Sequence, residues 1–306
     1  MKILITGSNG IIGQQLLLHL LSAYPTAEFI VINRKPSILV DKNRIQSIDL
    51  DLLNTNENAI RSVMINNRPE LLFHLAWDTN HSDYLNTLDN IKWEEISKML
   101  IDVFYDSGGK RFIGIGSSIE YDWNMKNPFR ENSSPLSGNK WLYGQSKLRV
   151  FKYLTSLANI SYLWCRVFFV FGPNQGNSRL VPRIINNALF GDLPISLNLQ
   201  LKRDYISTFE IARQMVMMQK TEYSGAVNIC SGRTVELGYI VDSISGILKK
   251  TVTWSPVTYQ DGFEIESLGG SIKLINQYYK EYTYSLKNFD CDIEKTIDFI
   301  RVNNYS

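Results

Sequence analysis

The sequence is short of the features that mark disulfide scaffolds, nucleic-acid binders and membrane proteins. Its three cysteines, Cys165, Cys230 and Cys291, are an odd number and widely spaced, without the close pairs of a structural zinc site. That pattern offers no metal site and fits a reducing, cytoplasmic compartment. Charge of one sign is also missing, with 32 lysines and arginines against 30 aspartates and glutamates for a net of +2. No whole-molecule field is available to grip nucleic acid, so any anion must be bound locally. No apolar run approaches the roughly 20 residues of a membrane span, and Met1 leads into a strand pattern without a basic leader and cleavage site. A soluble protein with no membrane and no nucleic-acid partner is expected. Repeats and low-complexity tracts are absent too.

What is present is an ordinary globular composition, 44% hydrophobic and 20% charged over 306 residues. That length suits one large α/β unit with an appended lobe. Apolar runs at 2–6, 28–33, 44–50, 71–76, 111–115 and 161–170 read as strands, and the segments 11–21, 58–66, 91–105 and 142–158 between them as helices. Such alternation predicts a parallel sheet covered on both faces, a Rossmann-type doubly wound α/β fold. After Gly172-Pro173 the pattern loosens into a helix at 180–190, a polar loop-rich stretch to Asp204 and one more buried strand at 225–229. The expected organisation is a dinucleotide-binding domain over 1–168 that also takes in about 208–232, and a smaller mixed α/β substrate lobe over 169–306. The two are expected to interleave, not to divide at one linker.

Gly7-Ser8-Asn9-Gly10-Ile11-Ile12-Gly13 spaces three glycines at the junction of the first strand and first helix. There the first glycine permits a tight turn, the second lets backbone approach a pyrophosphate and the third lets helix pack on strand. Free N–H groups at the helix start attract the anion, so Gly7, Asn9, Gly10, Ile11, Ile12 and Gly13 are the expected cofactor cradle. The second strand ends not on an acidic residue but on Asn33-Arg34-Lys35. A neutral residue followed by two cations suits a 2′-phosphate and favours NADP(H) over NAD(H), the alternative being that Arg34 and Lys35 are a solvated loop. Either Asp49-Leu50 or Asp51-Leu52, ending the third strand, is placed to meet the adenine.

Tyr143-Gly144-Gln145-Ser146-Lys147 sets a phenol and an ammonium on one helix face. A free tyrosine titrates near pH 10, and a neighbouring cation is what makes it usable as a proton donor near neutrality. Ser117-Ser118 follow the fifth strand's carboxyl end, where ligands gather in open α/β sheets, and either hydroxyl can hold a substrate oxygen. His74, inside an apolar strand, reads as a packed residue and not as a base.

In order along the chain, the three glycines, His74-Leu75-Ala76, Ser117, Tyr143-x-x-x-Lys147, Phe171-Gly172-Pro173 and Arg203-Asp204-Tyr205 resemble the extended short-chain dehydrogenases, the NAD-dependent epimerase/dehydratase family of nucleotide-sugar enzymes. The resemblance implies that Ser117, Tyr143 and Lys147 are catalytic, that Asn90 supports the proton path and that Leu75 and Ala76 line the cofactor. It further implies that Arg203 holds the diphosphate of a nucleotide-sugar substrate, with Arg179 as a second clamp and Ser118 beside the substrate, and that the protein is a homodimer. Gly116 to Trp123 and Leu180-Val181-Pro182 are similar to bacterial enzymes of deoxysugar and surface-polysaccharide pathways.

Departures from the family pattern narrow the chemistry. Its dehydratases carry an Asp-Glu pair directly after the catalytic Ser or Thr, and here those places hold Ser118 and Ile119. Its 3,5-epimerases use a cysteine near the same turn, and this turn has none. What remains needs only a hydride, a tyrosine proton and a serine hydrogen bond: reduction of a nucleotide-linked 4-keto-6-deoxyhexose, or 4-epimerisation. The reading of a different class is a non-catalytic, NADP-sensing Rossmann protein.

Overall fold

The computed structural model describes all residues except 40, 42, 80–82, 139, 192–193, 258–264 and 305–306. A central parallel strand is covered on both faces, so it requires an unbroken apolar run. Largely apolar runs form β1 (Lys2–Thr6) and β2 (Glu28–Asn33), the edge strand β3 (Ile45–Asp49) is mostly polar, and largely apolar runs again form β4 (Leu71–His74), β5 (Arg111–Ser117) and β6 (Ser161–Val167). They lie in the order β6-β5-β4-β1-β2-β3, each neighbouring pair parallel, with strand Gly225–Ile229 beyond β6. The four residues of β4 are buried, whereas the edge strand β3 is partly exposed throughout.

Helices between these strands include α1 (Ile11–Ala23), α2 (Glu57–Asn67), α3 (Asp89–Asp106) and α4 (Leu142–Ser156). Asn56 starts α2 by accepting from the Ala59 N–H at 3.0 Å, and Arg68 ends it in the left-handed conformation. Leu4, Ile30, Leu72, Phe112 and Trp164 of the sheet pack with Leu100, Phe104, Val150 and Leu154 of α3 and α4 in one core. Each such side chain contributes about 1.5–3 kcal/mol by leaving water. Strand order reverses between β1 and β4, so the carboxyl ends of these two strands border the crevice where a doubly wound sheet binds ligands.

Three expected strand ends move by about two residues or more. The strand expected over 161–170 breaks at Phe168, whose N–H turns to Ile229 O at 3.1 Å. Phe169–Phe171 then becomes a separate strand, β7, parallel to Tyr205–Ser207. The fourth strand stops at His74 because the Ala76 N–H goes to the Thr6 side chain instead of a neighbouring strand. The fifth runs beyond Ile115 to Ser117, paired with β6 to its end.

The chain forms two compact units, Met1–Asp122 with Ser134–Val167 and Ala212–Val227, and Trp123–Ser133 with Phe168–Ile211 and Asn228–Ser306. The second is mixed α/β. It holds α5 (Leu180–Phe190), helices Leu237–Leu248 and Leu286–Asn304, and short strands that include Ile195–Leu197 and Lys202–Arg203 in the stretch expected to be loop. Among the described residues no helix is long and apolar enough to cross a membrane.

Candidate active site

Gly7 sits at φ +75°, and a side chain there would also bring its first carbon to 2.8 Å from Ala76 N. At Gly13 that carbon would fall 2.2 Å from Gly7 O. Only glycine lets the turn fold so tightly under β4's exit loop and against α1. Gly10 caps α1 without a side-chain hydrogen bond, and the first helical bond runs from Gln14 N to Gly10 O at 3.0 Å. The N–H groups of Ile11, Ile12 and Gly13 therefore precede the helical ladder, with the positive end of the helix dipole behind them. A turn that excludes a Cβ at Gly7 and Gly13 and presents such donors fits the pyrophosphate of a dinucleotide.

Around this cradle the polar side chains are mutually committed. Asn33, at the end of β2, accepts from Asn9 N at 3.2 Å and donates to Ser8 Oγ at 2.9 Å, so its amide braces the glycine turn. Asn9 holds the following loop, donating to Lys35 O and Pro36 O and accepting from Ile38 N. The two cations beside Asn33 differ. The Arg34 guanidinium, half exposed, pairs with Asp78 at 3.3 Å, while the Lys35 side chain is exposed. Asp51 caps the short Leu52–Asn54 turn through Leu53 N, and Leu52 is buried in the core. Asp49 stands opposite Asn33 in the β2–β3 register.

His74 is buried with both ring nitrogens engaged, Nδ1 to Thr6 Oγ1 at 2.8 Å and Nε2 to Ser97 Oγ at 2.9 Å. Ser97 donates its own proton to Trp93 O, so Nε2 carries the imidazole hydrogen and Thr6 donates to Nδ1. Thr6 in turn accepts from Ala76 N, which makes His74 a strut for the Leu75-Ala76 loop. Burial, reinforced by the nearby Lys147 charge, pushes its pKa down to about 3 and keeps the ring neutral.

Ser117 ends β5 and caps the Ser118–Glu120 turn. It is partly exposed, whereas Ser118 is buried. Tyr143 and Lys147 lie one turn apart in α4, and Lys147 Nζ donates to Ile115 O of β5 at 2.8 Å, which ties that helix face to the strand carrying Ser117. Burial, opposed by the Glu120 carboxylate, pushes the Lys147 pKa down to about 7. The lysine also lies 3.6 Å from the centre of the Trp77 ring. Asn90 is fully buried, accepting from Trp77 Nε1 at 2.9 Å and donating to Tyr84 O and Thr87 O. The remaining two expected site residues belong to the second unit. Arg203 Nη1 donates to Lys202 O and Ile265 O, and Arg179 caps α5.

Residues 3–230 match the model of the NAD-dependent epimerase/dehydratase family. The chain belongs to that family. It is therefore an NAD(P)-dependent oxidoreductase or epimerase of the extended short-chain dehydrogenase type. The GDP-6-deoxy-D-talose 4-dehydrogenase of Aggregatibacter actinomycetemcomitans is 25% identical over 81% of this chain and 79% of its own. Two solved structures share the fold at 20% identity and a TM-score of 0.85. One is the UDP-N-acetylglucosamine 4-epimerase of Methanobrevibacter ruminantium, covering 99% of this chain and 98% of its own. The other is the UDP-glucose 4-epimerase of Thermotoga maritima, covering 99% and 100%.

Beside the residues expected of this epimerase/dehydratase site stand three that the sequence reading passed over: Trp77, Glu120 and Arg166. The Glu120 carboxylate is wholly buried, accepting from Ser117 N at 2.7 Å, Trp164 Nε1 at 2.9 Å and Arg166 Nε at 2.9 Å. Burial works against the Arg166 charge, but Glu120 beside it holds the guanidinium above its ordinary range. Two signals were legible. Ser117-x-x-Glu120 has the capping-box spacing, and an arginine inside an apolar strand demands a buried partner.

Proposed function

We propose that this chain is a reductase of a nucleotide-linked 4-keto-6-deoxyhexose, using NADPH. The observation that carries the reading is the poverty of the acid–base set around Ser117. Ser118 and Ile119 occupy the places of the dehydratase acids, and Glu120 is locked onto Arg166 and Trp164, so no carboxyl of that turn is available to a leaving hydroxyl. Ser117, Tyr143 and Lys147 suffice for carbonyl reduction and for little else. Dehydrogenation at carbon 4 of a nucleotide-linked 6-deoxyhexose, the activity in the Aggregatibacter relative's name, is the same chemistry run backwards.

A bound nicotinamide supplies the hydride. Ser117 donates a hydrogen bond to the ketone oxygen, and Tyr143 gives its phenolic proton to that oxygen as it becomes an alkoxide. The Lys147 ammonium favours the phenolate left behind. Of its three N–H groups one is on Ile115 O and one lies against Trp77, which leaves the third for a cofactor hydroxyl. Arg203, steadied by two carbonyls, and Arg179 hold the diphosphate. The first unit is assigned to the cofactor and the second to the sugar nucleotide. A homodimer, by family resemblance, and a cytoplasmic location, from the cysteine content, belong to the same proposal, as does a place in deoxysugar or surface-polysaccharide synthesis.

A reductase consumes its cofactor. Supplied anaerobically with dTDP-, CDP- or GDP-4-keto-6-deoxyhexoses and NADPH, the protein should oxidise one NADPH per sugar reduced. Repeated interconversion of hydroxyl epimers without added nicotinamide, and no NADPH loss with any keto-sugar, would establish the 4-epimerase reading. One observation favours that reading: Arg34 already has a carboxylate partner in Asp78, with which a 2′-phosphate would have to compete. Turnover of either kind removes the non-catalytic, NADP-sensing alternative.

Cofactor choice is separately testable. NADPH should bind about tenfold or more tightly than NADH, the worth of a charge-assisted phosphate contact. Arg34→Ser should remove most of that margin, and Asp78→Asn, by releasing Arg34, should widen it. Equal binding of both cofactors by the unaltered protein would return Arg34 and Lys35 to the solvated loop.

A further inference from the structure

We propose that Trp77 is a positioning residue of this site: its indole face seats the Lys147 ammonium while its N–H fixes Asn90, so that Lys147 and Tyr143 are set at working spacing before any cofactor arrives. The inference rests on the reading of Tyr143 and Lys147 as the proton-transfer pair.

Lys147 is 3% exposed. Three rings stand within reach of Nζ: Trp77 at 3.6 Å, Tyr143 at 5.7 Å and Trp164 at 5.9 Å. Attraction between a cation and a ring face fades by about 6 Å, so of the three only Trp77 is in full contact. A ring seat is useful only if the ring is fixed, and Trp77 is held from three sides. Its Nε1 donates to Asn90 Oδ1 at 2.9 Å, Trp93 stacks on it at 6.1 Å and 22°, and Tyr143 meets it edge-on at 5.9 Å and 87°. Asn90 is immobilised in turn by Tyr84 O and Thr87 O. A connected set therefore runs from the loop after β4, through Asn90 and Trp77, to both members of the Tyr143/Lys147 pair. Simple space-filling by a large side chain requires neither the contact of Nζ with the ring face nor the hydrogen bond from the indole.

The sign of the effect on Lys147 is fixed by its neighbours. Burial lowers its proton affinity, and a ring face under the ammonium offsets part of that loss. The other titratable and charged groups around it are Tyr143 on its own helix, Glu120 on the turn after β5 with its partner Arg166 on β6, and neutral His74 on β4. Of these only Tyr143 touches Trp77, and substitution there changes the charge of none of them, so losing the ring face should make Lys147 titrate lower.

The test uses the whole protein labelled with 13C at the lysine ε-carbon, in the absence of cofactor, with the Lys147 signal identified by its loss in Lys147→Met. In Trp77→Leu the Lys147 titration should move down by about one pH unit relative to the unaltered protein, and in Trp77→Phe, which retains an aromatic face, by about half as much. With a keto-sugar substrate, Trp77→Leu should lower kcat about fivefold at pH 7, the loss of protonated Lys147 when a group titrating near 7 moves down by one unit, while NADPH affinity changes by less than about threefold. An unmoved Lys147 titration in a folded Trp77→Leu protein would overturn the proposal. So would a Trp77→Phe protein titrating like Trp77→Leu, or, should the leucine variant not fold, one titrating like the unaltered protein. Failure of the reductase reading would show differently, as absence of turnover in the unaltered protein with the titration shifts intact.

Discussion

Replacing Tyr143 with phenylalanine should lower kcat about a hundredfold to ten-thousandfold, the usual cost of removing a general acid, with the affinity for NADPH little changed. The expectation follows from what the phenylalanine keeps. Tyr143 is buried and packed edge-on against Trp77 and Tyr84, and a phenyl ring retains both contacts. The backbone bond from Tyr143 N to Leu85 O is untouched as well. Only the hydroxyl is lost, so the change isolates proton donation from folding. Steady-state turnover of the keto-sugar, with cofactor binding measured separately, checks it. Activity within threefold of the unaltered protein would remove Tyr143 from the chemistry and, with it, the reason to read Lys147 as its partner.

Much of the architecture was legible because parallel strands advertise themselves. Lys2 to Thr6 and Glu28 to Asn33 need no long-range information to be read as strands, and the glycine turn between β1 and α1 is a backbone requirement that the glycine spacing reveals directly. What failed was local context that depends on distant backbone. Nothing in the apolar run 161–170 shows that Phe168 N will leave the sheet for Ile229 O. Nor does Leu75-Ala76 show that its ladder partner will be replaced by a threonine hydroxyl at position 6. The site divides in the same way. Tyr143 and Lys147 were readable because helical spacing alone puts them on one face. Asn33 was read with Arg34 and Lys35 as suiting a 2′-phosphate, and what the sequence does not show is that its amide is drawn to Asn9 and Ser8, partners that only the folded glycine turn brings within reach. Trp77, Glu120 and Arg166 lie on three different segments, and their chemistry exists only once β5, β6 and the loop after β4 are adjacent.

Truncating Glu120 to alanine should destabilise the protein by about 3–5 kcal/mol, the range for leaving a buried charge without its partner. Glu120 is wholly buried and Arg166 nearly so, and their 2.9 Å contact is the carboxylate's route to neutrality. Alanine would strand the guanidinium and leave Trp164 Nε1 and Ser117 N without the acceptor they now share. Urea unfolding followed by circular dichroism would measure the loss, provided the slope of the transition is unchanged. A second pair of variants separates charge from packing. Glu120→Gln keeps an amide oxygen for Trp164 and Ser117 but takes from Arg166 its one carboxylate counter-charge on this turn, so it should remain strongly destabilised. Adding Arg166→Met to it removes both charges with little change of volume, and this double variant should recover most of the stability, because a buried ion pair replaced as a unit is close to neutral. Activity should recover in parallel if the capping box is what sets Ser117, since the glutamine oxygen can take the place of Glu120 Oε1, which already accepts from both Ser117 N and Trp164 Nε1. A Glu120→Ala protein within about 1 kcal/mol of the unaltered one would mean that water reaches Arg166 and that this pair does not hold the catalytic turn in place.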